Sequence, residues 1–95
     1  MNISDKLNLI LTEYSSGNKE SAYKKFKKIY LKNNKDLKLR YNLAVMQQEL
    51  GLLDEAETNY ISLIKINENI KYKINLYNLY TSKKLYQSAL DLINS

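Results

Sequence analysis

The sequence predicts an all-α fold, a stack of about three helix-turn-helix repeats, on three observations. The 95 residues include no proline and only two glycines, and helix-compatible residues fill most of the chain. A 34-residue interval separates the two glycines, Gly17 and Gly51, and other residues recur at the same interval. Apolar residues also follow the period of a helix. We therefore expect a single domain that spans residues 1–95.

The 34-residue interval divides the chain into repeats. The recurring pairs are Leu9 and Leu43, Ala22 and Ala56, and Phe26 and Tyr60. A third copy fits when the interval is shortened by one position, with Leu76, Ala89 and Ile93 in the corresponding places. In that copy Lys84 stands where the first two have glycine. We predict repeats at about residues 3–34, 36–68 and 70–95, the last of them incomplete.

The first repeat is predicted to hold helices at about residues 3–15 and 19–32, separated by Gly17. In the second of these helices, Ala22, Phe26, Ile29 and Tyr30 would pack inward. Four lysines would then project outward and form a basic outer face: Lys24, Lys25, Lys28 and Lys32.

The second and third repeats follow the same pattern. A helix at about residues 36–50 carries one apolar stripe of Leu39, Leu43, Met46 and Leu50, and Gly51 ends it. The next helix places Leu53, Ala56, Tyr60, Leu63 and Ile64 on one face. Its first turn holds Asp54, Glu55 and Glu57, where acidic side chains suit the helix dipole. The last two helices are predicted at about residues 70–83 and 86–94.

These residues resemble the tetratricopeptide repeat (TPR) family, whose unit follows a Trp-x2-Leu-Gly-x2-Tyr and Ala-x3-Phe pattern. The second copy reads Arg40-x2-Leu43-Ala44-x2-Gln47, then Gly51, then Ala56-x3-Tyr60. The other copies depart from the pattern, because Ile10 and Tyr77 replace its small residue. The resemblance implies a right-handed α-α superhelix (solenoid) that acts as a non-catalytic scaffold or adaptor.

The resemblance also implies a partner, a protein segment bound in the concave groove as an extended or helical peptide. The groove residues carried over from the family are Leu7, Leu11, Tyr14, Lys38, Tyr41, Asn42, Val45, Gln48, Glu49, Lys71, Ile74, Asn75 and Asn78. Tyr41 and Val45 also form a short second apolar stripe on their helix. This stripe either receives the partner or touches neighbouring hairpins.

Composition argues against catalysis. The chain has no cysteine and no histidine, which removes thiol nucleophiles, cysteine zinc sites and imidazole acid-base chemistry. Its acidic residues form no convincing inward-facing pair. We predict no enzyme activity, no cofactor and no bound metal. The start of the chain is too polar for a secretory signal, and no apolar run approaches the roughly 20 residues that cross a bilayer. A cytoplasmic protein is therefore expected.

The charge distribution leaves alternatives open. The net charge is +5, and nine of the 15 basic residues lie between Lys19 and Arg40. The basic outer helix 19–32 is either an ordinary solvated face or a contact for anionic membrane surfaces or nucleic acid in an assembly adaptor. A further alternative is self-association through an uncovered C-terminal end, where Leu90 and Ile93 would be exposed.

Overall fold

The computed structural model describes residues 1–95 and confirms the predicted all-α class. Six helices follow one another without strands, and each packs against the next. They are α1 (Ile3–Ser15), α2 (Lys19–Lys32), α3 (Leu37–Glu49), α4 (Leu53–Ile66), α5 (Ile70–Ser82) and α6 (Tyr86–Ile93). Consecutive pairs form three helix-turn-helix hairpins. None of the helices combines the length and the apolar character that a membrane crossing requires.

Short polar side chains start the odd-numbered helices. The side chain of Asn2 accepts a hydrogen bond from the Asp5 amide at the start of α1. Asp36 caps α3 by accepting from the amides of Lys38 and Leu39, and Asn69 caps α5. Such N-caps satisfy backbone donors that the helix leaves unpaired. Asp36 and Asn69 therefore end the connections between hairpins and start α3 and α5.

The even-numbered helices begin instead from tight turns with a left-handed residue. Gly17 has φ +106° and Gly51 has φ +83°. Lys84 occupies the same place in the third hairpin with φ +60°, the only non-glycine residue with positive φ. Glycine adopts this left-handed conformation without steric cost, whereas a residue with a side chain adopts it at a steric cost. The three turns thus share one geometry although the third lacks glycine.

Two apolar clusters join the hairpins. The first contains Ile10, Tyr23 and Phe26 of hairpin one together with Leu43 and Met46 of α3. The second joins α3 and α4 to α5, with Tyr60, Leu63, Leu76 and Leu79 among its members. Ala22 and Ala56 are completely buried, and Ala89 nearly so, which is the burial expected of residues at close helix crossings. Each hairpin therefore stabilises its neighbour.

Polar side chains add cross-links between these helices. Gln47 is buried, its amide donates to the Tyr23 hydroxyl at 3.1 Å, and its carbonyl oxygen accepts from Asn59 at 2.8 Å. Arg40 donates from Nε to the Tyr30 hydroxyl at 2.8 Å and from Nη1 to the Ser62 hydroxyl. These two residues of α3 tie α2 to α4.

Candidate functional site

The first helices of the three hairpins, α1, α3 and α5, form one side of the stack. Helices α3 and α5 are in contact. The Tyr14 hydroxyl of α1 donates to Glu49 Oε1 of α3 at 2.7 Å, and Asn75 Nδ2 of α5 donates to the Tyr41 hydroxyl of α3 at 2.7 Å. All the predicted groove residues lie on these helices, and none of them is fully buried.

Four of the predicted groove residues are partly covered by packing within the stack. Leu7 and Tyr14 are half-buried against the first apolar cluster. The ring of Tyr41 lies 5.4 Å from the ring of Tyr72, between centroids, and packs against the second cluster. Gln48 Oε1 accepts a hydrogen bond from the Tyr60 hydroxyl at 2.9 Å. Tyr14 and Tyr41 join neighbouring hairpins, whereas Gln48 joins the two helices of its own hairpin. All four side chains therefore offer only part of their surface to a partner.

The open part of this side follows a second row of positions. On α3 the row contains Lys38, Asn42, Val45 and Glu49, spaced i, i+4, i+7 and i+11. The repeat intervals place Lys71, Asn75, Asn78 and Ser82 in the same row on α5, and Ser4, Asn8, Leu11 and Ser15 on α1. We call these twelve residues the open stripe. All are exposed except Val45 and Asn75, which are half-buried.

The open stripe adds four residues to those predicted from the sequence, namely Ser4, Asn8, Ser15 and Ser82. The repeat interval carries the signal for them, since Asn8 precedes Asn42 by one full repeat, and Ser15 precedes Glu49 by the same interval. Ile74, by contrast, lies off this row. It lines an apolar cleft at the C-terminal end of the stack, with Ile70 and Tyr77.

An asparagine stands at the same place in every repeat of the open stripe. These are Asn8, Asn42 and Asn75, and the side chains of Asn8 and Asn42 are exposed. A carboxamide offers both donors and an acceptor, which match the amide and carbonyl groups of a peptide backbone. Leu11 and Val45, also at equivalent places, add apolar contacts beside two of the asparagines.

The electrostatics of this side are mild. Lys38 and Lys71 bring two cations, and Glu49 brings one carboxylate. Burial raises the pKa of the Tyr14 hydroxyl, and its hydrogen bond to Glu49 raises that pKa further. Tyr14 therefore stays a neutral donor that holds the Glu49 carboxylate in place. The surface is therefore polar, and neither sign of charge dominates it.

The predicted basic outer face is exposed on α2. Lys25 Nζ lies 2.8 Å from Glu13 Oε2, and this hydrogen bond holds the pKa of the Glu13 carboxyl below its usual range. Lys24, Lys28 and Lys32 make no ion pair and leave their charges free. One of the four cations is thus neutralised within the hairpin.

The C-terminal end carries an exposed apolar surface. Leu90 and Ile93 are exposed, as predicted. An apolar cleft of about 430 Å³ lies between α5 and α6, lined by Ile70, Ile74, Tyr77, Leu92 and Ile93 together with Lys73 and Ser95. No group of three or more acidic side chains is placed to hold a metal ion.

Comparisons with known proteins agree with this architecture. The chain matches none of the models of known protein families. It is 30% identical over 66 residues, 70% of its length, to a TPR repeat-containing protein of the archaeon Methanocaldococcus jannaschii. The matched part covers 12% of that relative, so the chain spans a small fraction of its length. The similarity and the three helical hairpins indicate a TPR-like repeat protein.

Proposed function

We propose that the chain is a TPR protein-interaction module that binds an extended peptide segment of a partner protein along the open stripe. The observation that carries the proposal is the repetition of one surface chemistry across three hairpins. An exposed or half-exposed asparagine recurs in each, and an aliphatic residue accompanies it in the first two. Equivalent groups at regular intervals suit a ligand whose own backbone groups recur regularly.

The surface favours a particular kind of peptide. Asn8, Asn42 and Asn75 are suited to the ligand backbone, while Leu11 and Val45 offer shallow contacts for apolar side chains. Lys38 and Lys71 stand at equivalent places, and neither forms an ion pair within the chain. An acidic side chain in the ligand would meet one of them in a partly exposed, salt-sensitive contact. The ligand is thus an extended segment with apolar and acidic residues, and the module itself is not catalytic.

A random peptide library displayed on phage tests this function, because the selection does not require the natural partner. Peptides selected on the wild-type chain are measured against Val45→Glu and Asn42→Ala by fluorescence anisotropy. Both changes should weaken binding about tenfold or more, since each removes about 1.4 kcal/mol or more of contact energy. The matched control is Ile66→Glu, because Ile66 is an exposed aliphatic residue of α4 off the open stripe. Equal loss in the control, or no loss in the two variants, would contradict the proposal.

A second function is favoured by the basic outer face. Lys24, Lys28 and Lys32 leave unpaired cations along one exposed side of α2, which supports an adaptor that meets an anionic membrane surface or nucleic acid. Sedimentation with phosphatidylserine vesicles and binding to a duplex DNA measure these contacts. Under this alternative, changing Lys24, Lys28 and Lys32 to Glu abolishes binding and the open-stripe variants leave it intact. If the wild-type chain binds neither the vesicles nor the DNA at low salt, this second function is contradicted.

A further inference from the structure

We propose that the groove between α2 and α4 binds a second protein partner, through a segment that carries both an acidic and a basic residue. We call it the back groove. Its walls are formed by Lys27 and Leu31 of α2 and by Glu55 and Asn59 of α4, and its floor includes Gln47 of α3. The cavity measures about 320 Å³, the size of a small ligand pocket. The proposal does not depend on peptide binding along the open stripe.

The back groove faces away from the open stripe. Gln47 follows Val45 by two positions, and two residues of a helix turn through about 200°, so the two side chains leave α3 in nearly opposite directions. The walls belong to the second helices of hairpins one and two, whereas the open stripe follows the first helices. All residues of the groove lie between positions 27 and 59, within these two hairpins. A partner in the groove therefore leaves the open stripe free.

Three positions of the back groove are polar where the next pair of hairpins has apolar residues. The repeat intervals match Lys27, Gln47 and Asn59 with Ile61, Tyr80 and Leu92, in that order. The three apolar residues pack against the second apolar cluster, whereas the three polar ones line an open groove. Polar side chains here give up apolar burial that the neighbouring interface uses. Local departures of this kind are typical of functional sites.

A chain of hydrogen bonds fixes the polar groups of the groove. Gln47 Nε2 donates to the Tyr23 hydroxyl at 3.1 Å, and Gln47 Oε1 accepts from Asn59 Nδ2 at 2.8 Å. Gln47 and Tyr23 are both buried, so the chain is anchored in the core. The half-buried Asn59 keeps its carbonyl oxygen and its second N–H without a partner in the protein. One acceptor and one donor are thus held in place for the backbone of a bound segment.

The two walls of the groove carry unlike charges. Lys27 is exposed and forms no ion pair within the chain. Glu55 is also exposed and forms no ion pair, and its single polar contact, from Gln47 Nε2, is long at 3.5 Å. A segment with one acidic and one basic residue satisfies both walls. A purely anionic ligand such as a nucleic acid would instead meet Glu55 as a like charge.

Apolar surface completes the groove. Leu31 is 59% exposed at its rim, and the buried residues Tyr30 and Leu43 lie at its floor. An apolar side chain of the bound segment would remove this surface from water. A small zwitterion could match the two charges but would leave Leu31 uncovered. A protein segment uses the charges, the carboxamide and the apolar surface together, which is why we assign the groove to this occupant.

Two separate surfaces make the chain an adaptor that holds two partners at once. The open stripe and the back groove share no residue. Segments bound to the two surfaces should therefore not compete. Charge pairs at exposed groups are screened by ions, so binding in the back groove should weaken as the salt concentration rises.

A phage-displayed random peptide library selected on the Val45→Glu chain tests the proposal, because this variant alters the open stripe and leaves the back groove unchanged. The selected peptides should combine an acidic, a basic and an apolar residue, and they should bind the wild-type chain equally well. Asn59→Leu copies Leu92 of the third hairpin and should close the groove, with a loss of affinity of about tenfold or more. The absence of any binder, or peptides that lack either charge, would overturn the proposal.

A pair of lysine variants locates the contact on α2. Lys27→Glu should weaken binding about tenfold, since it places a carboxylate against the acidic residue of the peptide. Lys32→Glu is the matched control, because Lys32 is an exposed, unpaired cation of the same helix that does not line the groove. Its effect should stay within about twofold. Equal losses in the two variants would assign binding to the overall charge of α2 and contradict the proposal.

An exchange of charges gives a second readout that does not require a cavity to be filled. The double variant Lys27→Glu/Glu55→Lys inverts both walls of the groove. It should prefer a peptide whose acidic and basic residues have been interchanged over the peptide selected originally. An unchanged preference would overturn the proposal. Circular dichroism of each variant confirms that the helices remain formed.

Discussion

Tyr41 and Asn75, which occupy neighbouring hairpins, are joined by a hydrogen bond of 2.7 Å from Asn75 Nδ2 to the Tyr41 hydroxyl. Tyr41 also packs its ring against Tyr72 of the next hairpin. The same pair therefore joins α3 to α5 and borders the open stripe. Side chains that hold neighbouring hairpins together lie beside the open stripe on these helices, so the peptide binding proposed above depends on the stacking of hairpins.

The first prediction concerns this hydrogen bond. Tyr41→Phe keeps the ring contacts but removes the acceptor, and Asn75→Ala removes the donor. Each should lower the free energy of unfolding by about 0.5–1.5 kcal/mol, and the double variant should lose less than the sum. Urea unfolding of the four proteins measures the coupling. Strict additivity would mean that the bond contributes nothing to stability.

The second prediction concerns the helix crossing at Ala56. Its side chain is completely buried between helices, so Ala56→Leu forces the helices apart. We expect a loss of about 1–3 kcal/mol in the free energy of unfolding. Lys65→Leu, at an exposed position of the same helix, is the control and should change little. An unchanged melting curve for Ala56→Leu would contradict the assigned crossing.

The third prediction compares two turns with the same backbone conformation. At Gly51 an added Cβ meets no atom within 4 Å, so only the positive φ opposes a side chain there. Gly51→Lys should destabilise the fold by about 1 kcal/mol, and Lys84→Gly should stabilise it by a similar amount. Thermal melting of both variants checks the opposite signs. Two shifts of the same sign would argue against a shared turn geometry.

The fourth prediction concerns pH. Lys83 Nζ lies 2.8 Å from Asp54 Oδ1 and 3.3 Å from Glu57 Oε1. The hydrogen bond from Lys83 holds the pKa of the Asp54 carboxyl below its usual range. This pairing therefore stabilises the fold above the carboxyl's unfolded pKa, about 4, and the effect is lost as the pH falls through the lower folded value.

Comparison of wild type with Lys83→Met separates charge from packing. The variant should be less stable at pH 7, because the partner carboxylates lose their cation. As the pH falls through the lowered pKa of the Asp54 carboxyl, this carboxyl becomes protonated, so the difference in the urea midpoint should shrink towards zero. A difference that persists at the acidic pH would assign the role of Lys83 to its aliphatic stem.

The order of the helices could be predicted because several local signals agree. The turn at Gly51 marks the end of α3, and the apolar period of Leu39, Leu43 and Met46 marks its buried face. The repeat interval then transfers both features to other parts of the chain. Even the third turn, where Lys84 replaces glycine, falls where the interval places it.

The sequence predicts only in part which residues of the candidate surface pack against a neighbouring hairpin and which remain open. Tyr41 and Val45 lie on one side of α3, and their sequence pattern does not say which of them a neighbour covers. In the structure Tyr41 packs against the second apolar cluster, whereas Val45 lies on the open stripe. The distinction depends on where Tyr60 and Tyr72 of other helices are placed. It is a tertiary property that one helix alone does not encode.

The most direct test of peptide binding along the open stripe is an NMR titration of the 15N-labelled chain with a library-selected peptide. The side-chain amide signals of Asn8, Asn42 and Asn75 report on the three hairpins separately. We predict that all three shift together and saturate with the backbone signals around Val45. Shifts confined to the basic outer face of α2 or to the apolar cleft between α5 and α6, with these asparagine signals unmoved, would contradict peptide binding along the open stripe.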